Sequence, residues 1–299
     1  MLLTLAHQGF SGRPGSLVYV PTTFDSAQQA LSVVLFVHGF HNCVANCVLP
    51  EANGCNCSVG GGGGSNQGYD LLDSFEAAAL AEATRLGGGA APSTSVAQSI
   101  FVAAEVAYDE ASSATGNWST PGMFSSFLAD ILASSELAPL AGGPRSVADV
   151  SRVRLFSHSG GYAVLAAFAT PSVNGNLSAA LEVGLLDSLY GSEDAYDAFV
   201  EDALAQSRLG PGAAQARFVS IYTDTGGTAA NNRAMAARAA AWLAAANASA
   251  LMLDDDSLDA PLPAAAVAGT PVIFKRSNLT HDDTCRHYFA LFLSGERYD

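Results

Sequence analysis

Residues 33–37 read Val-Val-Leu-Phe-Val, an apolar run with no polar residue inside it. A strand with one face in water alternates apolar and polar residues. An unbroken run predicts instead a strand covered on both faces, as in a parallel sheet. The stretch 31–37 is therefore read as a central strand. The same reading gives an early strand at 17–21 and further strands at 99–107, 153–156, 181–186, 217–222 and 271–274. Helical patterns fall between them, at 69–86, 124–137, 160–169, 193–206, 229–246 and 284–293. In the second of these, Phe124, Phe127, Leu128, Ile131 and Leu132 share one helical face. Strands alternating with helices predict an α/β fold with a mostly parallel central sheet and helices on both faces. Right-handed crossovers then gather the C-terminal strand ends along one edge, where sites form.

The chain has 299 residues, 49% of them hydrophobic, and no internal repeat. This suits one large core, and a single domain over 1–299 is expected. A Cys- and Gly-rich insertion at about 43–68 interrupts the pattern, and Gly60–Gly64 cannot hold regular structure cheaply. No apolar stretch reaches about 18 residues, so no transmembrane segment is expected. Residues 1–10 lack the basic start and apolar middle of a signal peptide, which is read as absent from this chain or already removed. The net charge of -15, from 13 basic and 28 acidic residues, disfavours nucleic acid as a partner, because phosphate contacts need Lys and Arg patches.

Cys43, Cys47, Cys55 and Cys57 crowd into the insertion, and Cys285 stands alone. A disulfide-braced loop in a secreted or extracytoplasmic protein is the favoured reading, leaving one thiol over. A zinc site including His41 is the rival, but the spacings match no standard ligand pattern. Asn-x-Ser/Thr triplets starting at Asn56, Asn117, Asn176, Asn247 and Asn278 point the same way as the cysteines, weakly. There is no H-E-x-x-H, and the glycines at 60–64 do not open a helix after a strand. Neither a metal nor a dinucleotide cofactor is expected.

The chemistry concentrates in Ser157-His-Ser-Gly-Gly161, between the apolar strand at 153–156 and the Ala-rich helix that follows. It fits small-x-nucleophile-x-small, with Ser157 where G-x-S-x-G has its first glycine. Such a nucleophile sits on a sharp strand-to-helix turn, and small neighbours let strand and helix approach. Ser159 is the candidate nucleophile. His158 is expected to line the pocket or to pack beside it rather than to transfer a proton. Val33-Val-Leu-Phe-Val-His-Gly-Phe-His-Asn42 runs into a loop that suits an oxyanion donor. Preorganised amides stabilise the charge that develops on a carbonyl oxygen, and those of Phe40 and Gly160 are assigned this role. His38 is read as structural. His41 is read as a substrate contact or an exposed loop histidine.

The general base should follow the last strand. His281 does so, with His287 the fallback, while His7 gives no signal. For the acid, Asp187 follows Gly184-Leu-Leu and Asp224 follows Ile221-Tyr-Thr. Asp187 is favoured and Asp224 is the alternative. A carboxylate directly after an apolar strand needs a partner if it is buried.

Together these segments resemble the α/β-hydrolase superfamily over nearly the whole chain. Gly15-Ser-Leu-Val-Tyr-Val-Pro21, followed by residues 33–42, looks like the branch of secreted esterases and polyester depolymerases. The resemblance implies an α/β-hydrolase fold and carboxylic-ester hydrolysis through an acyl-enzyme on Ser159, without a cofactor. The substrate would be a small-molecule or polymeric ester, as for an esterase, lipase or polyesterase. Ser157 departs from the branch, which has glycine there, and the branch's acid maps to Asp224. An amidase or peptidase on the same fold, or a non-catalytic binding protein retaining it, are the alternatives.

Overall fold

The computed structural model describes residues 2–5, 16–39, 44, 48, 69–87, 89–106, 114–175, 177–207, 216–258, 262 and 270–293. Nine strands form one sheet: β1 (Leu2–Leu5), β2 (Ser16–Tyr19), β3 (Leu31–Val37), β4 (Ser99–Ala104), β5 (Val150–His158), β6 (Ala180–Leu186), β7 (Arg217–Thr223), β8 (Met252–Asp255) and β9 (Val272–Ser277). Their order is β1-β2-β4-β3-β5-β6-β7-β9-β8. β1 pairs antiparallel with β2, and β2 with β4. Every other neighbouring pair is parallel.

The apolar run in β3 behaves as its composition requires. Leu31, Val33, Leu35 and Val37 enter one core, whereas Val34 and Phe36 enter the core on the opposite face. This is the period-two side-chain alternation of a strand, with both faces dry. The longer helices are α1 (Leu71–Arg85), α2 (Met123–Leu132), α3 (Tyr162–Ala169), α4 (Glu193–Ser207), α5 (Ala229–Ala245) and α6 (His281–Leu293). Helices α2 to α5 cover the first face, through Phe127, Phe168, Tyr196 and Met235 among others. Helices α1 and α6 cover the second, through Phe75 and Phe289. Winding runs outward from β3 to β4, then reverses through β5, β6 and β7. Right-handed crossovers in opposite directions put their helices on opposite faces, which is why α1 stands apart from α2 to α5. The reversal also makes the C-terminal edge around β3 and β5 the natural site.

Several boundaries differ from the sequence reading. Helix α2 stops at Leu132 with Ala133 as its cap, short of residue 137. Strand β5 is nine residues long, not four. Its polar ends, Ser151, Arg152, Ser157 and His158, mislead, and within it Arg154 is buried against Glu182 (3.4 Å), which also pairs with Arg217 (3.1 Å). Helix α6 begins at His281, three residues before the expected start, and β9 continues to Ser277. Strands β1 and β8 lie outside the expected set. No helix among the described residues is long and apolar enough to cross a membrane. The Cys43, Cys47, Cys55 and Cys57 disulfide expectation falls outside the described residues. Cys285 is free and buried in the core between α6 and the sheet.

Candidate active site

The parallel strands deliver their C-terminal ends to one edge. After β5 the chain turns sharply through Ser159–Gly161 into α3. Ser159 adopts φ 52°, the left-handed region. For a residue with a β-carbon this costs about 1–2 kcal/mol, and such strain persists only where the surroundings impose it. The imposition is visible at Gly161. A Cβ there would lie 2.8 Å from the Val37 carbonyl oxygen and 2.9 Å from that of His38, so only glycine lets the turn pack against β3. On the other side, a Cβ on Gly39 would sit 2.7 Å from Ser159 Cβ and 3.2 Å from its Oγ. The loop after β3 thus passes directly against the Ser159 side chain.

That loop is anchored by His38. Its Nδ1 lies 2.8 Å from the Gly39 carbonyl oxygen, and its Nε2 lies 2.7 Å from Glu105 Oε1. Glu105 Oε2 also accepts from the Val44 amide (3.2 Å). His38 is fully buried, as the structural reading anticipated, but its partner Glu105 was not legible in sequence. Gly160 lies in the turn that leads into α3. Phe40 and His41 fall outside the described residues.

Asp187 follows β6 and is completely buried, at φ 48°. Its carboxylate lies 2.7 Å from His281 Nδ1. It accepts from the Thr223 amide (3.1 Å), the Thr223 hydroxyl (2.7 Å) and the Thr228 hydroxyl. Burial pushes its pKa up, but the hydrogen bonds from His281, Thr228 and Thr223 outweigh this and hold it below the ordinary carboxylate value. Gly226 closes over the same carboxylate: a Cβ there would come within 2.0 Å of Oδ2. With Nδ1 of His281 given to Asp187, its Nε2 is left for other chemistry. The structure brings His281 and Asp187 together. Among the described residues it makes no hydrogen bond between Ser159 Oγ and His281. Asp224, by contrast, is exposed and pairs with Arg276 and Arg233. His287 lies within α6, its ring edge-on to Tyr288.

His158 is buried in packing contacts. It is 1% exposed, with Tyr69 edge-on at 5.0 Å and the His281 ring tilted over it at 4.3 Å. Its Nε2 lies 3.1 Å from the His281 carbonyl oxygen. Burial, aided by the nearby His281, pushes its pKa down to about 3, so it stays neutral beneath His281. The packing reading of His158 is the one the burial supports.

Tyr190 was missed. Its hydroxyl donates to the Gly226 carbonyl, and its ring stands edge-on to His281 at 6.4 Å. Burial and the charge of Asp187 raise its pKa to about 12, against the effect of the neighbouring Ser159 hydroxyl. Its place three residues after Asp187 was the available signal. Among the described residues, His158, His281 and Asp282 offer ligand atoms within 4.8 Å of one another. A cation there would compete for the free nitrogen of His281. A cavity of about 280 Å³ lined by Asn174, Leu181 and Phe199 opens at the opposite, N-terminal edge of β6 and contains none of these residues.

The mostly parallel sheet, its strand order and the helices on both faces are those of the α/β-hydrolase fold. No protein-family profile and no curated protein matches the chain. Solved structures do. A mutant of the feruloyl esterase module from Clostridium thermocellum, complexed with sinapinate, superposes with a TM-score of 0.53 at 13% identity, covering 100% of this chain and 88% of that one. A structure named FAE gives a TM-score of 0.52, also at 13% identity and with the same coverage. At such identities the likeness is one of fold, and the fold of this chain is the α/β-hydrolase fold.

Proposed function

We propose that the chain is a serine hydrolase that cleaves carboxylic esters through an acyl-enzyme on Ser159. The observation that carries this reading is the 2.7 Å contact between His281 Nδ1 and the buried, ionised Asp187, beside a serine held in left-handed backbone. His281 Nε2 takes the Ser159 proton as Oγ attacks the ester carbonyl, then gives it to the departing alcohol. Asp187 fixes the imidazole tautomer and stabilises the imidazolium without itself taking the proton. The amides of Gly160 and Phe40 receive the developing oxyanion. Water then repeats the sequence on the acyl-enzyme.

The feruloyl esterase among the fold neighbours makes a feruloyl ester a sensible first substrate beside simple ones. The cysteine cluster and the Asn-x-Ser/Thr triplets support an exported protein. The test is turnover of p-nitrophenyl esters and of the matching anilides by the wild type and Ser159→Ala. Ester turnover that disappears in Ser159→Ala is expected. Turnover of anilides in preference to esters would replace the esterase by an amidase. Ester turnover that persists in Ser159→Ala would remove Ser159 from the chemistry.

A further inference from the structure

Ser157 is the departure from the usual nucleophile motif, and the reaction above gives it nothing to do. It is fully buried, as is Ser188. Strands β5 and β6 are direct neighbours, so the turn carrying Ser159 and the turn carrying Asp187 lie side by side. Both turns hold a residue in left-handed backbone, at φ 52° and 48°. Ser188 Oγ donates to the Ser159 carbonyl oxygen at 2.7 Å. Ser157 Oγ lies 2.9 Å from Ser188 Oγ. A hydroxyl has one proton, and that of Ser188 goes to the carbonyl. Ser157 is therefore the donor to Ser188. The result is a directed relay, Ser157 O–H to Ser188 Oγ and Ser188 O–H to the Ser159 carbonyl. A glycine at 157 would fit the space and lose the first link.

We propose that Ser157 and Ser188 are positioning residues: a two-hydroxyl relay ties the backbone of the nucleophile turn to the turn that carries the acid, and so sets Ser159 against the His281–Asp187 pair. The proposal rests on the serine-hydrolase reading. The relay meets Ser159 at its backbone carbonyl and not at its Oγ, so it acts on the geometry of attack. Misplacement by a fraction of an ångström is enough to lower a rate while leaving affinity alone.

The experiment measures kcat and KM with p-nitrophenyl butyrate for the wild type, Ser188→Ala, Ser188→Thr, Ser157→Gly and the Ser157→Gly/Ser188→Ala double variant. Circular dichroism checks the fold, and covalent labelling of the wild type by a fluorophosphonate runs in parallel. Ser188→Ala is expected to lower kcat about tenfold with KM within about twofold, since it removes the hydroxyl that donates to the Ser159 carbonyl. Ser157→Gly is expected to lower kcat about threefold, and Ser188→Thr, which keeps a hydroxyl, to stay near the wild type. The double variant should be no worse than Ser188→Ala, because residues in one network are not additive. An unchanged kcat in folded Ser188→Ala, or additive losses in the double variant, overturns the relay. If Ser188→Ala does not fold, Ser157→Gly decides, and no change in its kcat overturns the relay. A wild type that takes no label and turns over no ester contradicts the serine-hydrolase reading, and the relay falls with it. A labelled wild type with indifferent variants sinks the relay alone.

Discussion

The ends of β6 and β7 present the same residue type in two different settings. Each strand is mostly apolar, each is followed by an aspartate, and each could supply the carboxylate for His281. Asp187, after β6, is fully buried and receives donors from Thr223 and Thr228 as well as His281. Asp224, after β7, is exposed and spends its charge on Arg276 and Arg233 at the surface. A buried carboxylate without donors would be costly and would protonate. Three protein donors besides His281 keep Asp187 ionised in a dry site, where its hold on an imidazole is strongest. The loop after β7 still serves the site, but as a source of donors: Thr223, Gly226 and Thr228 wrap the carboxylate that β6 carries.

The largest effect should come from removing the charge. Asp187→Asn is expected to lower kcat on the order of 10⁴-fold with the fold intact, because the asparagine favours the wrong imidazole tautomer. Asp224→Asn should stay within about twofold. Steady-state kinetics of the pair would break the comparison if the two variants were equally impaired.

Next is Gly226→Ala. Its new Cβ would displace the Asp187 carboxylate, at 2.0 Å in the present geometry. Overpacking of this kind costs about 1–3 kcal/mol, and thermal unfolding should show it together with at least a tenfold loss of kcat. Wild-type thermal stability with undiminished kcat would mean that the β7 loop does not enclose the acid as described.

Asp187 and His158 both have depressed pKa values, and both make the fold less stable as pH falls, in different pH ranges. Asp187 binds its proton less readily folded than unfolded, and the unfolded carboxyl titrates near 3.9. Its contribution is present above that value and fades as pH falls through the folded pKa. His158 also binds its proton less readily folded, about 3 against about 6.5 unfolded. Below about pH 6.5 the unfolded chain takes up a proton that the folded one refuses. His158 therefore costs up to about 1.4 kcal/mol per pH unit between about pH 6.5 and 3, and nothing above. Chemical denaturation from pH 7 to pH 4 should show a shallower loss in His158→Phe than in the wild type. Parallel curves would contradict a buried neutral His158.

The smallest effect is expected from Arg276→Ala. It removes an exposed partner of Asp224, and solvent-exposed pairs contribute little to stability. A clear loss of thermal stability would give the β7 aspartate a structural weight it lacks in this account.

The frame of the molecule was readable because burial on both faces leaves a plain mark: residues 33–37 could be nothing but a covered strand. The serine turn was readable because sterics demand small residues at fixed spacing around it. What escaped was carried by long-range contacts or by polar residues in apolar places. Strand β8 ends in Asp254 and Asp255, and β5 carries Ser151, Arg152, Ser157 and His158 at its ends, so neither shows its extent by hydropathy. Choosing Asp187 needed Thr223 and Thr228, which lie 36 and 41 residues further along the chain. Glu105 behind His38 is likewise 67 residues distant. Ser157 looked like a blemish in a motif, and only its contact with Ser188 gives it a part.

The most direct measurement of the central claim is the site and rate of fluorophosphonate labelling, followed by mass spectrometry, in the wild type, Asp187→Asn and Asp224→Asn. The account predicts one adduct on Ser159, formed at closely similar rates in the wild type and Asp224→Asn and far more slowly in Asp187→Asn. An adduct elsewhere, or full-rate labelling in Asp187→Asn with loss in Asp224→Asn, would contradict it.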